Sequence, residues 1–376
     1  MRVVIITESY LPEVNGVANS VARVAGHLSA RGHSVLIVAP RPVSRVDSAD
    51  PYPVVRLPSI PMPGYSTVRL ALPTRKLGRI IAGFKPDVVH LASPFVLGAW
   101  GARVADELGL PIVAIYQTDV PGYARAYRIG LTEVMSWKVI QRLHARAAMT
   151  LAPSTSTAAQ LVAHGVPRVA MWGRGVDTEL FHPARRDDEL RRTLAPNDEV
   201  IVGYVGRLAR EKKVELLAEA ARLPGVRLVI VGDGPTRAAM QRCMPQALFL
   251  GPKRGPELAR FYASLDVFVH TGPYETFCQT VQEAMASGVP VVAPATGGPL
   301  DLVKPGVTGT LVPPGDAAAF ANAVAELAAD PQMRKEFGEA AYEAVAGRTW
   351  SALGDELIAH YRTAVIGNPV KVMVTA

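Results

Sequence analysis

Two glutamates in the second half of the chain have the type and spacing to hold a long, hydroxyl-rich ligand. They lie in the run Gly272-Pro-Tyr-Glu275-Thr276-Phe277-Cys278-Gln279-Thr-Val-Gln-Glu283-Ala, which follows the apolar stretch DVFVH and opens a helix. With Glu283 about two turns inside that helix, the two backbones stand ~12 Å apart along the axis. Carboxylate pairs that cleave one glycosidic bond stand ~5–9.5 Å apart. The wider spacing suits carboxylates that take hydroxyls at two ends of a ligand. The free N–H groups of the helix start lie between them, where an anion such as a diphosphate belongs. Two ordinary surface glutamates are the alternative. The following Met285-Ala-Ser-Gly-Val-Pro-Val-Val makes this a buried helix, and a buried Glu needs a partner.

A second group is Gly206-Arg207-Leu-Ala-Arg210-Glu-Lys212-Lys213, directly after the apolar run VIVGYV. Arg offers a fork of donors and Lys a mobile point charge, a combination that suits a diphosphate. A solvated charge run is the ordinary explanation; the position after a buried strand favours phosphate. Val231-Gly232-Asp233-Gly234-Pro235 ends another strand and can shape a base pocket. Gly297-Gly298-Pro-Leu-Asp301 allows close backbone approach. In the first half, Pro12-Glu-Val-Asn15-Gly16-Val17 is a strand–turn–helix start that can face a phosphate, or an ordinary turn.

These groups need a scaffold that ends strands side by side. Short apolar runs at 2–7, 34–39, 53–57, 87–91, 111–116 and 149–152 alternate with helical patterns near 17–30, 74–83, 96–109, 132–147 and 155–164. A second series of strands follows at 200–205, 227–231, 247–250, 266–270, 290–293 and 309–312. Continuous apolar strands between helices predict parallel sheets covered on both faces, in α/β doubly wound domains. Two Rossmann-like domains facing a central cleft are expected, over 1–180 and 181–350, with the helix near 351–364 and the tail to 376 returning to the first. The polar stretch 174–197 is the expected boundary. In such sheets ligands bind beyond the carboxyl ends of the strands.

Composition narrows the classes further. The chain has 376 residues, 49% of them apolar and 19% charged, enough for two cores and too apolar for disorder. No apolar run approaches the ~18 residues of a membrane span. The start MRVVIITE reads as a first strand and not as a signal peptide. Two cysteines, Cys243 and Cys278, fit a reducing cytoplasm and suggest no metal site. The net charge of +7 is uneven: residues 1–180 carry 19 Lys/Arg against 11 Asp/Glu, and residues 181–376 carry 21 against 22. The basic half suggests an anionic partner such as the inner membrane surface, or solubility alone. Residues 65–84 mix Arg69, Arg75, Lys76 and Arg79 with apolar positions, as a helix lying on an anionic membrane would, or a Rossmann helix with its basic face in water.

The ordered motifs GRLxxEK, VGDG, ExFCQxxQEAxASGxPVxAP and GG resemble family 4 of the GT-B glycosyltransferases across essentially the whole chain. The runs ESYLPEVNGVANSV, DVVHLASPFVLG, IYQTDVPGYA and WGRGVDTELFHP are similar to actinobacterial GDP-mannose-dependent alpha-mannosyltransferases, which build mannosylated glycolipids in mycobacteria and corynebacteria. The resemblance implies a GT-B fold, retention of anomeric configuration, no metal requirement and no other cofactor. It implies a nucleotide-sugar donor, GDP-mannose, and a glycolipid or other hydroxylated acceptor. It also implies a cytoplasmic enzyme, peripheral at the inner face of the plasma membrane, with no nucleic-acid partner.

Carried over residue by residue, Glu275 would hold hydroxyls of the transferred sugar and Glu283 those of the ribose. Arg207 and Lys212 would bind the diphosphate and stabilise charge on the leaving group. Gly16, Gly206, Gly232, Asp233, Thr276 and the amides of Phe277, Cys278 and Gln279 would complete the donor site. One departure is visible: many relatives place a histidine in the Y-x-T stretch after the fifth strand, where this chain has Tyr116-Gln117-Thr118-Asp119. Glutamine cannot act as a base, so Gln117 and Asp119 are expected as donor-sugar contacts. Asp301 also stands where relatives often have Glu. Three alternatives remain: a UDP-sugar donor acting on another lipid or a soluble metabolite, a nucleotide-sugar-binding protein without turnover, and an NAD(P) oxidoreductase. The last lacks a GxGxxG after either first strand.

Overall fold

The computed structural model describes residues 1–13, 15–42, 52–62, 65–72, 74–93, 96–122 and 130–367. The chain divides into two compact units. One comprises Met1–Pro121, Gly130–Arg174 and Trp350–Ala376, the other Gly122–Ile129 and Gly175–Thr349.

The first unit is built on β1 (Arg2–Ile6), β2 (Ser34–Pro40), β3 (Val54–Leu57), β4 (Ser59–Met62), β5 (Tyr65–Ala71), β6 (Val88–Leu91), β7 (Ile112–Ile115), β8 (Met149–Ala152) and β9 (Val169–Met171). Seven of these form one sheet in the order β3-β2-β1-β6-β7-β8-β9, and every pairing is parallel. β1 exposes Arg2 and buries the next four residues, as a strand covered on both faces must. Alternate residues feed two cores. Val3 and Ile5 join Val21, Val24 and Leu28 of the helix Gly16–Ala30, and Val4 and Ile6 join Leu77, Ile81 and Leu97 on the other face.

Helix Gly16–Ala30 starts where Asn15, in extended conformation, accepts hydrogen bonds from the N–H groups of Val17 and Ala18 at 3.1 and 3.0 Å. The helix Trp350–Ile366 packs on it. Gly354 permits the approach, since a Cβ there would lie 2.3 Å from the His27 ring. Trp172 Nε1 donates to Leu353 O at 2.8 Å, and buried Tyr361 meets His90 Nδ1 at 2.5 Å. Burial pushes His90 down to about 3, so its ring is neutral there.

A helix over the whole of 65–84 is not formed, and only the helix expected near 74–83 is present. β5 pairs antiparallel with β4, and the helix begins only at Lys76 and ends at Phe84. Arg69 fastens the hairpin: Nε donates to Ser59 Oγ at 2.9 Å and Nη2 to Ser59 O at 2.6 Å. Val68 and Thr67 favour a strand, and the cross-strand bonds override the helical spacing of the basic residues. The basic residues therefore divide between a hairpin and a short helix.

The second unit carries β10 (Val200–Val205), β11 (Val226–Val231), β12 (Leu248–Gly251), β13 (Val267–Val269), β14 (Val291–Pro294) and β15 (Gly309–Val312). They form one parallel sheet in the order β12-β11-β10-β13-β14-β15. The strand order reverses between β10 and β13, which opens a crevice at their carboxyl ends. The two faces of this sheet are packed by separate apolar clusters around Phe261, Phe268 and Met285, and around Tyr204, Leu217 and Phe320. Both sheets are the doubly wound, Rossmann-like type that the strand pattern predicts. Among the described residues, no helix is long and apolar enough to cross a membrane.

Candidate functional site

The loops after β10, β11 and β13 converge at the switch point of the second unit. Gly206 N–H donates to Val231 O at 3.0 Å, and a Cβ on Gly232, whose φ is +136°, would lie 1.9 Å from Gly206 O. The two turns therefore interlock, and only glycine fits at Gly232. Asp233 stiffens its own turn, accepting from Gly234 N at 2.7 Å and from Arg237 Nη1 at 3.3 Å.

Arg207 is partly exposed and donates through Nη2 to the carboxylate of Glu211, itself buried. That bond positions the guanidinium. Lys212 ends a short 3₁₀ turn, Arg210–Lys212, and its carbonyl accepts from Thr271 Oγ1 at 2.7 Å. Its ammonium is bonded to Glu275 Oε1. His270, 2% exposed, places Nε2 3.3 Å from the same oxygen and 3.2 Å from Gly272 O. Burial alone would raise the Glu275 carboxyl, but Lys212 and His270 outweigh it and hold it down to about 2. Burial alone would lower His270; the neighbouring Cys278 sulfur and Glu275 outweigh that and hold it up at about 10. Glu275 is thus an ionised acceptor fixed between two cations.

The stretch from Gly272 to Cys278 is not helical; the helix runs Gln279–Ala286. Glu283 therefore lies about one turn inside the helix, and the ~12 Å helical spacing from Glu275 does not apply. The break is at Cys278, which adopts a left-handed φ of 77° and gives the helix no side-chain cap. Gly298 N–H holds Glu275 O at 2.8 Å, and a Cβ on Gly298 would lie 2.0 Å from Phe277 O. The Gly297-Gly298 turn thus buttresses the backbone from Glu275 to Phe277. Gln279 Nε2 donates to Gly175 O at 3.1 Å. Glu283 is half-buried and accepts from Tyr262 OH at 3.2 Å. Burial pushes its carboxyl up to about 7, which the Tyr262 bond only partly offsets.

In the first unit, Gln117 is buried and both ends of its amide are engaged: Nε2 donates to Ala92 O at 2.9 Å, and Oε1 accepts from Arg174 Nη2 at 2.7 Å. Arg174 also donates through Nη1 to Gly16 O at 3.1 Å. Asp119 accepts from Tyr116 OH at 3.3 Å. Arg174 ties the start of the helix Gly16–Ala30 to the loop after β7. Glu8, 3% exposed just beyond β1, accepts from Leu97 N–H at the start of the helix Val96–Glu107, and burial pushes it up to about 7.

The structure brings Lys212, Glu275 and Cys278 together around His270, and stacks Gly206 on Gly232. It turns Arg207 toward Glu211, Asp233 toward Arg237 and Glu283 toward Tyr262. His270, Arg174, Glu211 and Glu8 were not singled out from the sequence. A polar residue closing the apolar run DVFVH was the signal for His270, and an arginine between two glycines in WGRG the signal for Arg174.

Comparisons with known proteins agree with this architecture. The family model described as Glycosyl transferases group 1 matches residues 185–344, and Glycosyltransferase Family 4 matches residues 14–180. A GDP-mannose-dependent alpha-mannosyltransferase of Mycobacterium tuberculosis is 50% identical over 96% of this chain and 96% of its own. The protein of that description in Corynebacterium glutamicum is 44% identical over 96% of this chain and 88% of its own. The solved sucrose-phosphate synthase of Thermosynechococcus elongatus superposes with a TM-score of 0.83 at 24% identity, covering 97% of this chain and 99% of its own.

Proposed function

From the premise that the chain belongs to the group 1 and family 4 glycosyltransferases, we propose that it transfers mannose from GDP-mannose to a hydroxyl acceptor with retention of configuration. The observation that carries this reading is the Lys212–Glu275 pair beside the uncapped start of the helix Gln279–Ala286, at the strand-order reversal.

The diphosphate of the donor lies against that helix start, with the amides of Phe277, Cys278 and Gln279 directed to it. Lys212 and Arg207 neutralise the charge that grows on the leaving phosphate as the glycosidic bond lengthens. The two cationic side chains meet the diphosphate charge without a metal. Glu275, ionised and fixed, accepts hydrogen bonds from mannose hydroxyls and holds the anomeric carbon in register with the phosphate. Glu283 accepts from the ribose hydroxyls. Gly206 and Gly232 let backbone approach the nucleotide, and Asp233 and Thr276 border it. On the first unit, Gly16 lies at the start of its helix, and Gln117 and Asp119, in the loop after β7, are the candidate sugar contacts. With its amide occupied by Arg174 and Ala92, Gln117 positions and does not abstract a proton. The leaving phosphate itself draws the acceptor's proton on the same face of the sugar.

The acceptor is a glycolipid or similar lipid-borne hydroxyl, reached at an anionic membrane surface on the cytoplasmic side. A shallow groove of about 520 Å³ between the helices Lys76–Phe84 and Val96–Glu107 supports this, lined by Arg75, Arg79, Arg103 and Trp100. Arg103 is paired to Glu107, which also lines the groove, at 2.8 Å; the exposed Arg75 and Arg79 guanidinium groups near an indole suit lipid phosphates and the headgroup boundary.

The test is calorimetric titration with GDP, UDP, GDP-mannose and UDP-glucose without added metal. Guanine nucleotides are expected to bind at least ~10-fold tighter than uracil nucleotides, a difference of ~1.4 kcal/mol. Tighter uracil binding would overturn the donor and leave the fold assignment intact.

A further inference from the structure

His270, Glu275 and Cys278 each bring a potential metal ligand, and the three atoms lie within 4.8 Å of one another. Two further observations set this cluster apart from ordinary crowding. His270, 2% exposed, turns Nε2 to Glu275 Oε1 at 3.3 Å and leaves its buried Nδ1 with no nitrogen or oxygen partner. Glu275 already holds a cation, the Lys212 ammonium.

We propose that this cluster is an inhibitory site for a soft divalent cation of the zinc type. The ion binds one ring nitrogen of His270, Cys278 Sγ and Glu275 Oε1, and takes the place of Lys212 on that carboxylate. Bond lengths of ~2.0 Å to nitrogen and oxygen and ~2.3 Å to sulfur put the tetrahedral ligand atoms of this one-sulfur set about 3.3–3.5 Å apart. His270 Nε2 and Glu275 Oε1 are already 3.3 Å apart. The remaining closure is up to about 1.3 Å, within reach of side-chain rotation at Cys278 and Glu275. A thiolate and an imidazole select zinc, cobalt or cadmium over magnesium and calcium, which prefer oxygen ligands. Thiol and imidazole ligands bind a metal in their deprotonated forms, so affinity rises with pH. Lys212 keeps its charge and opposes the incoming ion.

The inhibitory consequence rests on the donor reading above. If Lys212 and Glu275 serve the diphosphate and the sugar, metal and GDP-mannose exclude each other. The existence of the metal site does not depend on that reading.

Titration of the full chain with cobalt(II) alone tests the site, followed by the thiolate-to-cobalt charge-transfer absorption in the near ultraviolet. One equivalent is expected to give the band, and added zinc to abolish it. Cys278→Ser should remove the band and Cys243→Ser should retain it. His270→Gln should keep the band but weaken affinity at least tenfold, while Lys212→Ala should strengthen it. The Gln and Ala variants keep the test valid if the serine substitution prevents folding. No band in the wild-type protein, or a band that follows Cys243, overturns the site. A cobalt site that GDP-mannose fails to displace upholds the metal cluster and overturns the donor placement.

Discussion

Glu283 carries a proton over part of the neutral pH range because burial holds its carboxyl at about 7, and Tyr262 supplies the single hydrogen bond that opposes this. A ribose placed there would donate two hydroxyls, and hydroxyl donors favour the ionised form. Donor binding is then tighter above pH 7 than below it, by up to ~10-fold per unit of pH. GDP-mannose is the right probe, since its diphosphate diester has no ionisation of its own near neutrality. Affinity measured between pH 5.5 and 8.5 should rise and then level off, and Glu283→Gln should flatten the profile. A wild-type profile that is already flat would confine Glu283 to its bond with Tyr262. Glu283 was legible in the sequence as a buried acid on an apolar helix. His270 was not, because the partners that charge it, Cys278 and Glu275, reach it only once the loop after β13 has folded back. Arg174 was hidden for the same reason: its partners Gln117 and Gly16 lie in distant parts of the chain.

Elements hold these residues by contacts between turns. Gly298 has φ −58° and ψ −35°, so alanine is allowed by its backbone. The obstacle is packing: a Cβ would lie 2.0 Å from Phe277 O and 2.4 Å from Phe277 Cα. Gly298→Ala must push the 275–278 backbone away and is expected to cost about 1–3 kcal/mol of stability, as overpacking does. It should also weaken GDP-mannose binding, because the moved segment bears Glu275. Gly83→Ala is the control: a Cβ there meets nothing within 4 Å, and stability should hold or rise by up to ~1 kcal/mol. Thermal melts and calorimetry on both variants decide this, and unchanged donor affinity in Gly298→Ala would remove the turn from the site. At this scale the sequence was most legible where strands were continuous apolar runs buried on both faces. It was least legible at the β4–β5 hairpin. There Pro58 and Pro61 obscure β4, and the basic residues of 69–79 fall at spacings that also fit a helix face.

The whole chain is electrically and chemically lopsided. The excess of positive charge lies in residues 1–180, and most exposed large apolar side chains among the described residues lie on the same unit, among them Leu11, Ile60, Leu72, Val134, Met135 and Val139. Charge alone would be satisfied by solvent, and scattered apolar residues need no explanation. Both on one unit are what an anionic bilayer surface attracts, by counter-charge at range and by shallow insertion on contact. The exposed cations Arg75, Lys76 and Arg79 stand together at the start of the helix Lys76–Phe84, and each is worth ~1 kcal/mol near such a surface. Replacing all three by alanine is therefore expected to weaken binding to phosphatidylglycerol vesicles roughly 100-fold at low salt, and to leave GDP-mannose affinity unchanged. Binding should fade as ionic strength rises past ~0.15 M, where the screening length is ~8 Å, and phosphatidylcholine vesicles should bind weakly throughout. Vesicle sedimentation reads all three effects. Equal binding of the triple variant would move the contact to another part of the unit, and binding insensitive to salt would make it apolar rather than electrostatic.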